Sequence, residues 1–253
     1  MLFDLGGRTA LVTGAGQNVG AGIAAMLAAR GASIALNDVV PERAEARVRA
    51  INEATDGSVR AVAVPFDVTD CAQVVAGVRS AEDALGPIDI LVNNAGNGGS
   101  AGMTPQQFRE MEPGAWDGPI RVNLYGVLHC CRAVINGMCD RGWGRIITIS
   151  SGAGTNGINI GVAPYSAGKG GGIAFTRSLA MEVARLGVTA NSLAIGLQTM
   201  DDPAVTEHLA RAIPVGRTGV PEDVGAACVW LASAEAEWVT GQTIGINGGS
   251  ITT

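Results

Sequence analysis

Lys169 is the single lysine of the chain; the other 16 of its 17 basic residues are arginines. It closes the run YSAGK, four residues after Tyr165, in the stretch APYSAGKGGGIAFTRSLAMEVARLG. At that spacing on a helix the two side chains share one face and can approach each other. A phenol normally loses its proton near pH 10, too high for an efficient base at neutrality, and a neighbouring ammonium favours the phenolate. Lysine offers that charge from a compact head, where a guanidinium offers a planar fork of different shape. The pair could thus move a proton at a substrate oxygen. The bland alternative is an ordinary tyrosine and a solvated lysine on a helix face.

A second stretch, TALVTGAGQNVGAGIAAMLAARG, reads as a strand, a glycine-rich turn with Gly14, Gly16 and Gly20, and an Ala-rich helix. Such a turn brings unpaired backbone N–H groups and the positive end of a helix dipole to one place, which suits a pyrophosphate. The next apolar run ends in IALND. Asp38 therefore follows the loop by about 20 residues, where a carboxylate can accept hydrogen bonds from ribose hydroxyls. Strand, loop, helix and acid in that order point to dinucleotide binding.

The elements that must position these residues are legible as alternation. TALVTG, SIALND, VAVPFD, IDILVNNAG, GRIITISS, GVTANSLA and TIGINGG read as strands buried on both faces. VGAGIAAMLAARG, PERAEARVRAINEA, CAQVVAGVRSAEDALG and PEDVGAACVWLAS read as helices between them, several closing at glycine. Repeated βαβ units predict an α/β fold, a doubly wound parallel sheet in three layers, with ligands beyond the carboxyl ends of the strands. At 253 residues, with no linker-like composition shift, residues 1–253 are expected to form one domain carrying both cofactor and substrate sites.

Composition narrows the function classes. A net charge of −6 argues against nucleic acid and anionic membrane as partners. No long uninterrupted apolar run and no secretory leader is read in the sequence, so a cytoplasmic protein is expected. Cys71, Cys130, Cys131, Cys139 and Cys228 lack CxxC spacing, and with only His129 and His208 no metal site is expected.

Five motifs in order resemble the short-chain dehydrogenase/reductase family over about Asp4 to Gly249: TGAGQNVG, NNAG at Asn93–Gly96, Asn123 in RVNLYG, ISS at Ile149–Ser151, and YSAGK. The resemblance implies a Rossmann-like sandwich and an NAD(P)-dependent oxidoreductase acting on CH–OH groups. It implies Tyr165 as general acid/base, Lys169 lowering its pKa and holding the nicotinamide ribose, Ser151 bonding the substrate oxygen, and Asn123 keeping a proton-relay water. Ser151 is chosen over its neighbour Ser150 on the family pattern. The implied cofactor contacts are Gly14, Gln17, Asn18, Val19, Gly20, Asp38, Asp67, Val68, Asn94, Ala95, Gly96, Tyr165, Lys169, Gly196 and Thr199. Asn93 is expected mostly to brace the sheet.

Asp38 would repel a 2′-phosphate, and Val39 and Gln17 supply no cation, so NAD is expected over NADP, with Arg43 the one basic side chain near that pocket. Asp67 could instead be a helix cap. The chain departs from the family at three points. Asn18 replaces a glycine, which Asn's tolerance of left-handed backbone permits. Ile195-Gly196 replaces Pro-Gly, with Thr199 one residue early. The Ser151–Tyr165 interval is one residue longer than the commonest family spacing, to be absorbed in TNGINIGVA.

GNGGSAGM, SGAGTNGINIGVAP and TMDDPAVTEHLARAIP, expected around the substrate, carry only the cation Arg211. A small neutral alcohol or ketone is therefore expected, since carboxylate sites favour a bidentate arginine. The competing readings are a 3-oxoacyl-thioester (acyl-carrier-protein or CoA) reductase and a catalytically silent NAD-binding sensor. A homotetramer is expected, with Gly170, Gly171 and Gly172 allowing helices of symmetry mates to approach.

Overall fold

The computed structural model describes residues 2–96 and 104–252; of the expected pocket segments, nearly all of GNGGSAGM lies outside them. One parallel sheet of seven strands runs β3-β2-β1-β4-β5-β6-β7. These are β1 (Thr9–Val12), β2 (Ser33–Leu36), β3 (Ala61–Ala63), β4 (Ile90–Asn93), β5 (Gly144–Ser151), β6 (Val188–Ile195) and β7 (Thr243–Ile246). The order reverses between β1 and β4, and both β1 and β4 deliver their carboxyl ends to that crevice. Strand β3 is shorter than VAVPFD suggests, because Pro65 has no N–H to continue the ladder.

Successive strand residues point to opposite faces, and both faces are covered, which is why the runs are apolar throughout. Val12, Ile34, Leu36, Ile90 and Val92 pack on one side with Ile23 and Leu27 of α1 (Asn18–Ala28) and Val224 and Cys228 of α8 (Pro221–Ala232). The helix α2 (Pro41–Ala54) adds Ala44 and Ile51 to that layer. Leu11, Ala35, Leu91 and Ile146 pack on the other side with three helices, α3 (Cys71–Leu85), α5 (Gly126–Asp140) and α6 (Ala163–Val183). Asp70, not Asp67, caps α3, accepting from the N–H groups of Ala72 and Gln73 at 2.9 and 3.1 Å.

The glycines of α6 serve this chain itself. A Cβ on Gly171 would meet Leu124, one on Gly168 would lie 3.0 Å from Pro119 O, and one on Gly170 would lie 3.2 Å from Gly154 O. Whether Gly170, Gly171 and Gly172 also admit a symmetry mate, as expected, is a matter of assembly and belongs to the proposal below. Their missing side chains let α6 settle on the short helix α4 (Asp117–Ile120), on the wide turn that follows it, and on Gly152–Gly154. That close seating sets the height of Tyr165 and Lys169 above the end of β5.

Candidate active site

The glycine loop leaves β1 and enters α1 with no side chain capping the helix. Gly14 has φ +59, and a Cβ there would come within 2.8 Å of Ala95 Cα. A Cβ on Gly16 would meet the Asp38 carboxylate at 2.7 Å, and one on Gly20 would meet Gly14 O and Asn94 Nδ2, both at 2.4 Å. Asn18 takes φ +48, so the side chain that replaces glycine keeps the left-handed turn. Gln17 and Asn18 are exposed, Val19 is half-buried and Gly20 is buried at the helix start. The result is a cradle of bare backbone at a helix N-terminus, the feature a pyrophosphate needs.

Side chains from three neighbouring strands hold that cradle. Asn94 donates from Nδ2 to Thr13 O and Gly14 O, each at 2.9 Å. The Thr13 hydroxyl accepts from the N–H groups of Asn94 and Ala95, and Asn37 Oδ1 accepts from Gly14 N–H at 3.3 Å. Thr13 and Asn37 were not singled out in the sequence, although each abuts a residue that was. Asp38 is buried and accepts from Gly16 N–H at 3.1 Å and Val40 N–H at 3.0 Å. The stem of Arg43 lies against Gly16 beside it. Asp67 closes a turn by accepting from Thr69 N–H at 2.8 Å, and the carbonyl of buried Val68 accepts from His129 Nδ1. Asn93 is buried and donates to Cys131 Sγ at 3.3 Å, which ties β4 to α5 as expected of a sheet brace.

Where β5 ends, its two serines part company. Ser150 is buried and donates to Lys169 O at 3.1 Å, whereas Ser151 stands near enough to the Tyr165 phenol to favour its ionised form. Ser151 Oγ accepts from Ala153 N–H at 3.2 Å, which leaves its proton for the phenol or a substrate oxygen. Burial raises the pKa of Tyr165 above its ordinary value, and Ser151 opposes this. The expectation of a phenol already lowered by Lys169 is therefore not met in the protein by itself. Lys169 Nζ stands 5.9 Å from the Tyr165 ring centre and donates to Ile149 O at 2.7 Å. Burial lowers Lys169 to about 8.

Asn123 sits in the wide turn Arg121–Tyr125, an expanded helical turn of a kind frequent at functional sites. Its Nδ2 donates to Pro119 O at 2.8 Å. Its Oδ1 and Lys169 Nζ both lie 2.8 Å from the point a Cβ on Gly96 would occupy. Asn123, Lys169 and Gly96, from three different elements, thus converge on one point. Thr199 stands apart in character: its hydroxyl donates to Gly219 O at 3.0 Å and contacts Thr218. Gly196 pairs with Ile246 O at the edge of β7.

Tyr165 opens on a cavity of about 200 Å³ lined by Thr104, Gln106, Met111, Ala115, Pro119, Gly161, Val162 and Pro164. None of these carries a charge. Gly161 and Val162 belong to the loop expected to absorb the extra residue. Gly161 has φ +72 and receives Gln106 N–H at 2.8 Å. The wall from Thr104 to Pro119 escaped the sequence reading because it has no periodicity and no chemical motif. Among the described residues no cluster could hold a metal ion.

Residues 8–204 match the family model for short chain dehydrogenases. The chain belongs to the short-chain dehydrogenase/reductase family. It is 38% identical to an acetoacetyl-CoA reductase of Shinella zoogloeoides, over 96% of this chain and 98% of the relative. It is 34% identical to a 5-keto-D-gluconate 5-reductase of Escherichia coli K12, over 99% and 98%. Among solved structures it resembles a gluconate 5-dehydrogenase from Burkholderia cenocepacia J2315 in complex with NADP and tartrate, with a TM-score of 0.87, 37% identity, and 98% and 96% coverage. This short-chain dehydrogenase is accordingly an NAD(P)-dependent oxidoreductase that uses a nicotinamide cofactor. The bare glycine cradle fits the pyrophosphate such a cofactor carries.

Proposed function

We propose that the chain interconverts a small neutral secondary alcohol and its ketone with NAD, and that Asn123, Ser151, Tyr165 and Lys169 carry the proton chemistry. The observation that supports it best is the placement of Tyr165, with Lys169 Nζ 5.9 Å from its ring centre and Ser151 beside it, at the mouth of an uncharged cavity. The bound cofactor supplies the hydride acceptor for oxidation and the hydride donor for reduction. Tyr165 takes the hydroxyl proton in oxidation and returns it in reduction. Ser151 donates to the same oxygen, where charge develops in the transition state. Lys169 holds a compact positive charge under Tyr165, and Asn123 keeps the turn beside it in place through Pro119.

The loop residues Gly14, Gln17, Asn18, Val19 and Gly20 would receive the pyrophosphate, and Asp38 the adenosine ribose. Asp67, Val68, Asn94, Ala95 and Gly96 would flank the adenosine side, and Gly196 and Thr199 the nicotinamide. The Thr199 hydroxyl would first have to leave Gly219 O. The buried Asp38 carboxylate supports NAD over NADP, since it would face a 2′-phosphate with like charge. One domain spanning residues 1–253, a cytoplasmic location and a homotetramer complete the proposal.

The second reading, a 3-oxoacyl-thioester reductase, is favoured by one observation, the 38% identity to an acetoacetyl-CoA reductase along nearly the whole chain. Initial rates with NAD and NADP decide between them, measured on secondary alcohols, neutral ketones and 3-oxoacyl-CoA. Higher kcat/KM with NAD on neutral substrates supports the proposal. Higher kcat/KM with NADP on the thioester replaces it with the second reading.

A further inference from the structure

The helix α7 (Pro203–Ala210) buries none of its own residues, so its position is set at its two ends. Asp202 caps the first, accepting from the N–H groups of Ala204 and Val205. The other end runs into Ile213–Val215, and what holds that segment is the C-terminal turn of the chain. Val215 N–H donates to Gly248 O at 3.1 Å, and a Cβ on Gly248 would lie 2.7 Å from the side chain of buried Ile213. Gly248 and Gly249 both have positive φ, at +61 and +86, so the turn is one only glycine adopts without strain.

The turn then crosses to the reaction site. Asn247 Oδ1 accepts from Gly249 N–H at 3.0 Å, and its Nδ2 donates to Ile251 O at 3.1 Å, so one amide folds the tail back. Its backbone passes 2.8 Å from the point a Cβ on Gly196 would occupy. Ile251 finishes against Gly152, the residue after Ser151, with Cδ1 only 2.6 Å from where a Cβ on Gly152 would stand. The half-buried isoleucine thus supplies the side chain that Gly152 lacks.

We propose that the C-terminal turn Asn247–Ile251 is a specificity-determining wall, in which Ile251 limits the bulk of the substrate beside Ser151 and Gly248, in the turn that the Asn247 amide folds, ties that wall to the base of α7. The size limit rests on the reading of Ser151 and Tyr165 as the reacting pair; the tie to α7 does not. Trimming a pocket wall by a few methylenes changes discrimination by about 10-fold or more. Ile251→Ala should therefore raise kcat/KM for branched ketones relative to small unbranched ones by about 10-fold. Gly152→Ala should depress turnover by displacing Ile251, and adding Ile251→Ala to it should restore turnover, because the clash is between those two groups alone.

Hydrogen exchange reads the tie without any substrate: Asn247→Ala should speed exchange of amides 203–215 while β4 and β5 stay protected. An unchanged ketone ratio in Ile251→Ala, or a Gly152→Ala loss that Ile251→Ala does not relieve, would overturn the wall. Unchanged exchange in Asn247→Ala would overturn the tie. A wild-type chain that reduces no ketone would instead sink the hydride-transfer reading, with the exchange result still deciding the tie.

Discussion

At the scale of single residues, Lys169 departs from the ordinary behaviour of an exposed ammonium. It is 7% exposed, its Nζ is held by Ile149 O, and it titrates near 8. Arginine keeps its charge but cannot place it where a compact ammonium fits. Lys169→Arg should lose most activity, and Tyr165→Phe should lose about 10²–10⁴ in kcat while binding cofactor normally. Wild-type turnover by Lys169→Arg would remove the mechanistic role. A second consequence concerns stability. The folded chain releases the Lys169 proton near pH 8, against an ordinary 10.5 when unfolded. Between those values the unfolded state binds more protons, so stability rises with pH across that window. Lys169→Met should flatten this rise, as measured by Tm between about pH 8 and pH 10.5; an equal slope in both proteins would contradict the buried-ammonium account.

At the scale of elements, the glycine loop and α6 work by missing side chains. Gly20→Ala would push a methyl to within 2.4 Å of Gly14 O and Asn94 Nδ2. Overpacking of this kind costs about 1–3 kcal/mol, and here the strain falls on the cradle itself. Calorimetry should show cofactor Kd raised about tenfold or more, with the sheet intact by circular dichroism. An unaltered Kd would mean that the loop is not the pyrophosphate site. The βαβ order was readable because a parallel sheet covered on both faces leaves short apolar runs between amphipathic helices. The ends of those elements were less readable. Asp70 caps α3 where Asp67 was the candidate, a choice made by which carboxylate reaches the free N–H groups.

At the scale of the whole molecule, an acidic chain leaves several large apolar groups in water. Trp238 is 96% exposed and Met181 80%, with Tyr125 half exposed. Single exposed groups are ordinary on a protein surface, but indole and thioether side chains are enriched where subunits meet. A homotetramer in light scattering at micromolar concentration is the expected result, and Trp238→Glu should lower the assembly state. A monomeric wild type would show that these groups are simply solvated. Among the described residues no helix is long and apolar enough to cross a membrane.

The sequence by itself determined the architecture, the glycine cradle with Asp38, and the Tyr165/Lys169 pair. Each is written in local spacing: short unbroken apolar runs in strands, glycine where backbone must turn or be bare, four residues along a helix. Tertiary structure alone decided the rest, because it depends on groups far apart in the chain. Only folding shows that Ser150 turns to Lys169 O while Ser151 faces Tyr165. Only folding shows that burial, acting from every side at once, moves Tyr165 and Lys169 away from their ordinary titration. The α6 glycines illustrate the same limit: their spacing announces close approach, but which surface approaches is settled by what the other elements bring, here Leu124 and Gly154 of the same chain. Ile251, 99 residues beyond Gly152, reaches it only because β5, β6 and β7 lie side by side and end together.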